Sequence, residues 1–387
     1  MTDTDLTAEV AASQDGWRAG RRYLNEHRYD LSRWAARELY GGDLQVGDSG
    51  LLTRPEWVPA TPIPLENVKL EWVDNTPAPP LDGTEPESAG VRPLGRGGQR
   101  YPTYAEALGD LARPRLYEDR PCYRLLAADL HDGWPTLSFG LGTYFDVMNV
   151  CEAAAHELAD ARRRTVDGDP TWADLPFRSL LGDPCDPGRR PMLPAISVLT
   201  VRRSESGAAV VLHARDSAKV AHGGGMHQVM PVGMFQPSAA GGWNVGNDFD
   251  LWRCIVREYS EEFLGADEHQ GVDHPLEYDR WPFYRSLTDA RRAGAVSAHV
   301  LGLGVDPHSL VTDMLVTVVI DADVFDELFK DGVTTNAEGD VVGQTSSDSR
   351  IALVAATESL SRFRAQSAGA ALLALGLRQS RRGSATS

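Results

Sequence analysis

The alternation of apolar and polar positions gives the chain two stretches of unlike texture. From Gln14 to Tyr40, the residues Trp17, Tyr23, Leu24, Leu31, Trp34 and Leu39 recur at broadly helical spacing, which predicts a long helix. The first dozen residues and the last ten, which include Arg381-Arg382-Gly383-Ser384, read as frayed ends. A proline-rich run from Arg54 to Pro80 comes next. Proline removes amide donors and stiffens φ, so an extended segment laid over a surface is expected. Gly95–Gln99 reads as a mobile loop. Tyr104–Leu111 predicts a helix, Tyr123–Leu126 and Thr136–Phe139 predict strands, and Val147–Arg164 predicts a second helix. The arginines that close this last helix suit the negative end of its dipole. Asp167–Arg190 is rich in turns and prolines, and the domain boundary is placed there.

The second stretch opens on a hairpin, Ala195–Val201 and Ala209–His213, around the turn Ser204–Gly207. The glycine-rich segment His222–Gly225 precedes an apolar run, Val229–Phe235. A helix is expected from about Asp250 to Leu264, with Gly265 just past its end in the left-handed conformation. Strands are expected at Ser297–Gly304 and Met314–Asp321, and a closing Ala/Leu-rich helix at Ala368–Leu377. The expected organisation is a helical lead-in (1–45), an α+β domain that includes the proline-rich segment (46–190), an α/β domain (191–378) and a disordered tail (379–387).

Composition narrows the function. The chain has 387 residues and a formal net charge of −17, from 38 Lys and Arg against 55 Asp and Glu. That balance argues against a protein that wraps a nucleic-acid backbone, which needs clustered basic side chains. It leaves room for a small phosphorylated ligand, because a divalent cation can bridge an acidic site and an anion. No apolar run is long enough to span a bilayer, and no basic-then-apolar leader opens the chain. The four cysteines, Cys122, Cys151, Cys185 and Cys254, form no metal or disulfide pattern, so a reducing cytoplasmic setting is expected.

The stretch that carries chemistry is Arg257-Glu258-Tyr259-Ser260-Glu261-Glu262-Phe263-Leu264-Gly265. On a helix Glu258, Glu261 and Glu262 stand at i, i+3 and i+4 on one stripe, beside an apolar stripe of Leu251, Ile255, Tyr259 and Phe263. Clustered glutamates are most often a solvated acidic face. Three like charges in about one turn repel each other, however, and a hard cation such as Mg²⁺ or Mn²⁺ would relieve them.

The pattern Arg-Glu-x-x-Glu-Glu, followed shortly by glycine, resembles the core of the box that defines the Nudix pyrophosphohydrolases. The resemblance covers about Ala195 to Leu377. It implies a Nudix-type α/β/α sandwich with a mixed sheet, metal binding by Glu258, Glu261 and Glu262, and an Arg257 that holds the glutamates by ion pairing. The sequence departs from the family in four places. Pro231-Val232-Gly233 stands where the family has proline–glycine–glycine, and Pro237–Asn247 is an insertion expected to loop out. Phe249, between Asp248 and Asp250, occupies the place of an earlier glutamate, and Leu264 stands where the closing glycine belongs. Most of the chain, with Trp57-Val58-Pro59, Tyr123-Arg124-Leu125-Leu126, Ala155-His156-Glu157-Leu158-Ala159 and the later Gly233-Met234-Phe235-Gln236-Pro237, resembles a group of actinobacterial Nudix-domain proteins. Some of these carry an N-terminal helix-turn-helix and are labelled transcriptional regulators. This chain begins after the point where that module would lie, which weakens a regulator role and leaves ligand sensing open.

Two functions are therefore carried forward. One is a metal-dependent hydrolase that attacks a phosphoanhydride of a nucleoside diphosphate-linked small molecule. The other is a non-catalytic Nudix-like module that senses a ligand or binds a protein. Candidate substrate contacts are Arg203, Arg215, His222 and Gly233, and Asp306, Asp313 and Glu338 are candidate general bases. The first half is a candidate substrate lid or homodimer surface. The pair His156-Glu157 lacks the second histidine of a zinc-protease helix.

Overall fold

The computed structural model describes residues 3–41, 45–114, 117–131, 133–215, 226–267, 273–333, 339–342, 344–346, 349–355 and 364–383. The chain is mixed α/β. In the first half the elements are α1 (Asp3–Glu38), β1 (Ile63–Pro64), β2 (Lys69–Trp72), α2 (Tyr104–Leu111), β3 (Pro121–Asp129), β4 (Thr136–Thr143), α3 (Tyr144–Val147), α4 (Ala153–Arg164) and α5 (Pro176–Leu181). A π turn, Met148–Glu152, joins α3 to α4. The second half contains β5 (Pro194–Ser204), β6 (Gly207–Val210), β7 (Leu212–Arg215), β8 (His227–Val229), β9 (Val232–Met234), α6 (Gly242–Asn247) and α7 (Leu251–Leu264). It continues with α8 (Pro282–Arg292), β10 (Val296–Val305), β11 (Thr312–Asp321), α9 (Ala322–Leu328), β12 (Gly339–Val342), β13 (Gln344–Ser346), β14 (Ser349–Ala355) and α10 (Ser367–Gly383).

The largest sheet runs β1-β10-β11-β5-β6-β14-β13, with β9 also bonded to β5. β5 and β11 lie parallel, and β10 is antiparallel to β11. Ala195–Val201 is buried throughout, as expected of a strand covered on both faces. Alternate residues sort to the two sides. Ile196, Val198, Met314, Val316 and Val318 join the core that contains Ile255, Tyr259 and Phe263 of α7 and Leu287 of α8. Leu199, Val201 and Leu315 join a second core with Ala371 and Leu372 of α10. The strand period of two therefore places α7 and α10 against opposite faces. β9 bonds Ala195–Ser197 of β5, and β6 bonds the same strand further along, at Val201–Ser204.

A smaller sheet, β2-β4-β3, packs onto the first core through Tyr123, Leu125 and Phe139. Backbone bonds reinforce that junction: Leu125 N donates to Met192 O (2.8 Å) and Tyr123 N to Phe235 O (3.1 Å). One continuous apolar cluster thus reaches from Trp17 of α1 to Phe329.

The structure corrects several expectations about local order. The chain does not fray from Asp3 onward, because α1 starts there. Val10 is buried, and Ser13 and Gln14 bind the backbone N and O of Leu94. The segment Gly95–Gln99 that meets them is a tight turn, closed by Gly95 N to Gln99 O (2.7 Å). The proline-rich run is not wholly irregular, since it supplies β1 to the edge of the large sheet and β2 to the small one. At the other end α10 continues through Gly383, into the expected tail. Helix α8 escaped the sequence reading, although Pro282 at its first turn and Phe283, Leu287 and Ala290 at i, i+4 and i+7 mark it.

Polar groups are buried between α1 and α4. Glu152, 2% exposed, is delivered by the π turn to two guanidiniums of α1, Arg21 and Arg28 (Arg28 Nη2 to Oε1, 2.5 Å). His156, one turn on, is also buried, with Tyr104 Oη 3.0 Å from Nδ1 and the Trp17 backbone as its other partner. Burial, with Arg21 beside it, pushes the His156 pKa down from 6.5 to about 3. His308, whose Nε2 lies 3.2 Å from Ala155 O, is held well below the ordinary range for the same reason of burial.

These two histidines set a pH dependence. The unfolded chain protonates them near pH 6.5, whereas the folded chain keeps them neutral well below that. Stability is therefore complete above pH 6.5 and falls as the pH drops, by about 1.4 kcal/mol per pH unit for each histidine. Urea titrations between pH 7 and pH 4.5 are expected to show this decline, to which His227 and His299, also lowered by burial, add, and His156→Gln is expected to make it shallower. An unchanged slope in the variant would refute the assignment.

Candidate carboxylate site

Helix α7 is defined by its ends. The Asp250 side chain caps it by accepting from Arg253 N (2.8 Å), and Gly265 closes it at φ 65°. Its apolar stripe is buried against the sheet, so the stripe of glutamates is turned toward β9. The contact there is close. A Cβ added to Gly233 would lie 1.9–2.3 Å from the carboxylate atoms of Glu258, so the Glu258 head group stands directly over a bare Cα. Glu262, 7% exposed, accepts the backbone N–H of Val232 at its Oε1 (2.8 Å). Two of the three glutamates thus engage consecutive residues of one short strand. Glu258 and Glu261 are half-buried. Val232 supplies this backbone donor as any residue other than proline would.

Arg257 is buried in the same helix. Its Nη2 donates to Gln236 O (2.7 Å), which ties α7 to the chain just past β9, and its Nε has no hydrogen-bond partner among the described residues. Burial works against its charge, but Cys254, Tyr278, Asp248 and Glu258 together outweigh it, and its pKa is raised above the ordinary arginine value.

The segment before the helix is built rather than looped out. Residues Gly242–Asn247 form α6. Asp248 is fully buried and accepts from Ser238 N (2.7 Å), Asn247 Nδ2 (2.9 Å) and Tyr278 Oη (2.9 Å). Phe249 enters an aromatic group with Trp72, Tyr123, Phe139 and Phe235, at centroid distances of 5.0–5.9 Å. Both aspartates that flank Phe249 have structural partners. Asp248 organises the insertion, Asp250 caps the helix, and Phe249 fastens the segment to the small sheet.

Other candidates stand apart from this face. Arg203 is paired with Asp321 and lies seven residues along β5 from Ile196, the partner of Gly233, a separation of about 23 Å at the usual strand rise. Arg215 ends β7, opposite Gly339 of β12. His222 and Glu338 lie outside the described residues. Asp306 receives five donors: His308 N, Ser309 N, Ser309 Oγ, Ser32 Oγ and Ser367 Oγ. A carboxylate so occupied fastens α1 to α10 and is poorly placed to take a proton. Asp313 bonds Ser197 Oγ (2.8 Å) on the α10 side of the sheet. Glu157 accepts from Phe177 N and Arg178 N (2.8 Å each) and so caps α5, a role unrelated to zinc.

The oxygens of Glu258, Glu261 and Glu262 suit a hard divalent cation in donor type. Among the described residues, however, no group of three or more His, Cys, Asp or Glu side chains converges as a ligand set. No described helix is long and apolar enough to cross a membrane. The chain matches no protein-family model and no curated protein.

Proposed function

We propose that the second half of the chain is a Nudix-type domain, a mixed sheet between helices, that hydrolyses a phosphoanhydride in a nucleoside diphosphate-linked small molecule. The observation that carries this reading is the seating of Glu258 over Gly233 and of Glu262 on the Val232 amide. That arrangement holds a row of carboxylates at the end of a strand fixed to central β5. Glu258 and Glu261, half-buried, are the residues that would offer oxygens to Mg²⁺ or Mn²⁺, while Val232 N–H fixes the orientation of Glu262. When bound, such an ion supplies charge neutralisation at the diphosphate and acidifies water. Arg257, tied to Gln236, sets the height of the helix against β9.

The second reading is a non-catalytic Nudix-like module for a ligand or a protein partner. It is favoured by the lack of a converged three-carboxylate group among the described residues and by Phe249 at the place of a glutamate. A panel of nucleoside diphosphate compounds, assayed for phosphate or nucleoside-monophosphate release with Mg²⁺ and Mn²⁺, separates the two. The hydrolase reading expects metal-dependent turnover that falls by roughly 10²–10³ in both Glu261→Gln and Glu262→Gln, in line with the loss of one electrostatic stabiliser. No turnover across the panel, with Mn²⁺ binding unaltered in the variants, would leave the binding module.

A further inference from the structure

The small sheet runs β2-β4-β3, so β2 is an edge strand, and no described residue pairs with its outer side. The phase of the ladder shows which groups that side presents. Lys69 N donates to Pro135 O and Val73 N to Phe139 O (2.8 Å each), so Lys69, Glu71 and Val73 bond inward to β4. The N–H and C=O groups of Leu70 and Trp72 therefore point outward, and so does the carbonyl of Val68, whose backbone is already extended. The chain that follows leaves this edge open. After Val73 it crosses the face of β4, where Thr76 packs on Gly140, and it reaches β3, where Pro77 O accepts from Arg124 Nη1 (2.8 Å). An open edge of this kind is a template for another strand.

The charges on β2 decide what fits. Lys69 and Glu71 share one face of the strand, with Lys69 Nζ 2.6 Å from Glu71 Oε1, and both side chains are open to solvent. A lysine alone on an edge repels a second copy of itself. A glutamate two residues further on makes the strand complementary to its own reverse. Two copies related by a two-fold axis meet antiparallel, and two registers use the outward groups. Centred on Leu70, the two copies exchange bonds between their Leu70 residues, and each Trp72 N–H faces the Val68 carbonyl of the other copy. Lys69 then lies opposite Glu71 of the other copy, twice, at a pair where the Cα atoms are only about 4.5 Å apart. Centred on Glu71, the two copies set Glu71 against Glu71 and each Lys69 against Val73. Like charges directly opposite destabilise a ladder, so the charges select the Leu70 register.

We propose that the partner of this edge is a second copy of the chain, joined antiparallel on Leu70 into a six-stranded sheet β3-β4-β2-β2-β4-β3 and held in register by two Lys69–Glu71 pairs. The same register accounts for apolar side chains left in water. Trp72 and Val73, 36% and 41% exposed, stand at one end of β2, and Trp134, 89% exposed, precedes β4 beside the other end. Antiparallel pairing brings the first end of one copy to the second end of the other. The proposal goes beyond the hydrolase reading, because no residue of α7 or β9 takes part.

Sedimentation velocity of the full chain, over a concentration series up to about 1 mM, tests it. Wild type is expected to pass from monomer to dimer within the series, and at lower concentration in low salt than in high salt. Lys69→Glu and Glu71→Lys, each alone, set like charges against each other at both pairs, and each is expected to weaken the dimer by about tenfold or more. Both positions are open to solvent, so both variants are expected to keep the wild-type melting curve. Mixed in equal amounts, the two variants present opposite charges to each other and are expected to dimerise again as a mixed pair. A wild type that stays monomeric through the series, single variants that dimerise like wild type, or a mixture that stays monomeric would each overturn the proposal.

Discussion

Glu152→Ala is expected to yield little or no folded protein. Glu152 is buried and meets both Arg21 and Arg28, themselves 5% and 3% exposed. Removing it takes the shared carboxylate from two buried guanidiniums, one of which, Arg21, lies against Tyr104 and His156. Breaking a buried ion pair from one side costs about 3–5 kcal/mol, a large fraction of a total stability of about 5–15 kcal/mol. Circular dichroism and urea titration of the soluble fraction measure the loss. Glu152→Gln, which keeps an acceptor but no charge, should fall between wild type and alanine. A melting temperature for Glu152→Ala within a few degrees of wild type would mean that the pairing contributes little.

Gly233→Ala is expected to have the largest effect on activity with the smallest effect on folding. The new methyl group would occupy the space of the Glu258 carboxylate, with contacts as short as 1.9 Å. The helix cannot retreat without losing the Glu262 bond to Val232 and the Arg257 bond to Gln236, so the Glu258 head group must swing away. Displacing a reacting arrangement by about 1 Å costs on the order of a hundredfold in rate, and Glu258→Gln should resemble it. The strand residues concerned are only half-buried, so the melting temperature should move little. Activity within about twofold of wild type would remove Glu258 from the proposed site.

The elements that could be read from sequence are those whose environment is periodic. β5, β10 and β11 are runs of Val, Ile and Leu that need no knowledge of their neighbours, and α7 carries its stripe, its Asp250 cap and its Gly265 stop within sixteen residues. What escaped is polar and distant. Glu152 sits in a helix that reads as apolar on one side, and only its partners 124 and 131 positions away explain it. Asp306 looks like a free acid until Ser32 and Ser367 are brought to it from opposite ends of the chain. The glutamates of α7 were visible as a motif, yet the bare Cα of Gly233 beneath Glu258 is a fact of strand register, which spacing alone does not supply. Phe249 stands between two aspartates in the sequence, and nothing there points to its aromatic partners in the small sheet.

The joint that Asp306 makes between Ser32 and Ser367 also bears on how the chain is made. Helix α1 leaves the ribosome well before its partners near Asp306 and on α10. At about 5–20 residues per second, roughly 15–65 s separate the synthesis of Glu38 from that of Ser367. During that interval Leu24, Leu31 and Trp34 can find cover in α4, but the side of α1 that carries Tyr29 and Ser32 waits until α10 has been made. A nascent chain stalled or truncated before α10 would present that side of the helix unfinished, which makes it a natural place for a chaperone to hold and for a protease to begin.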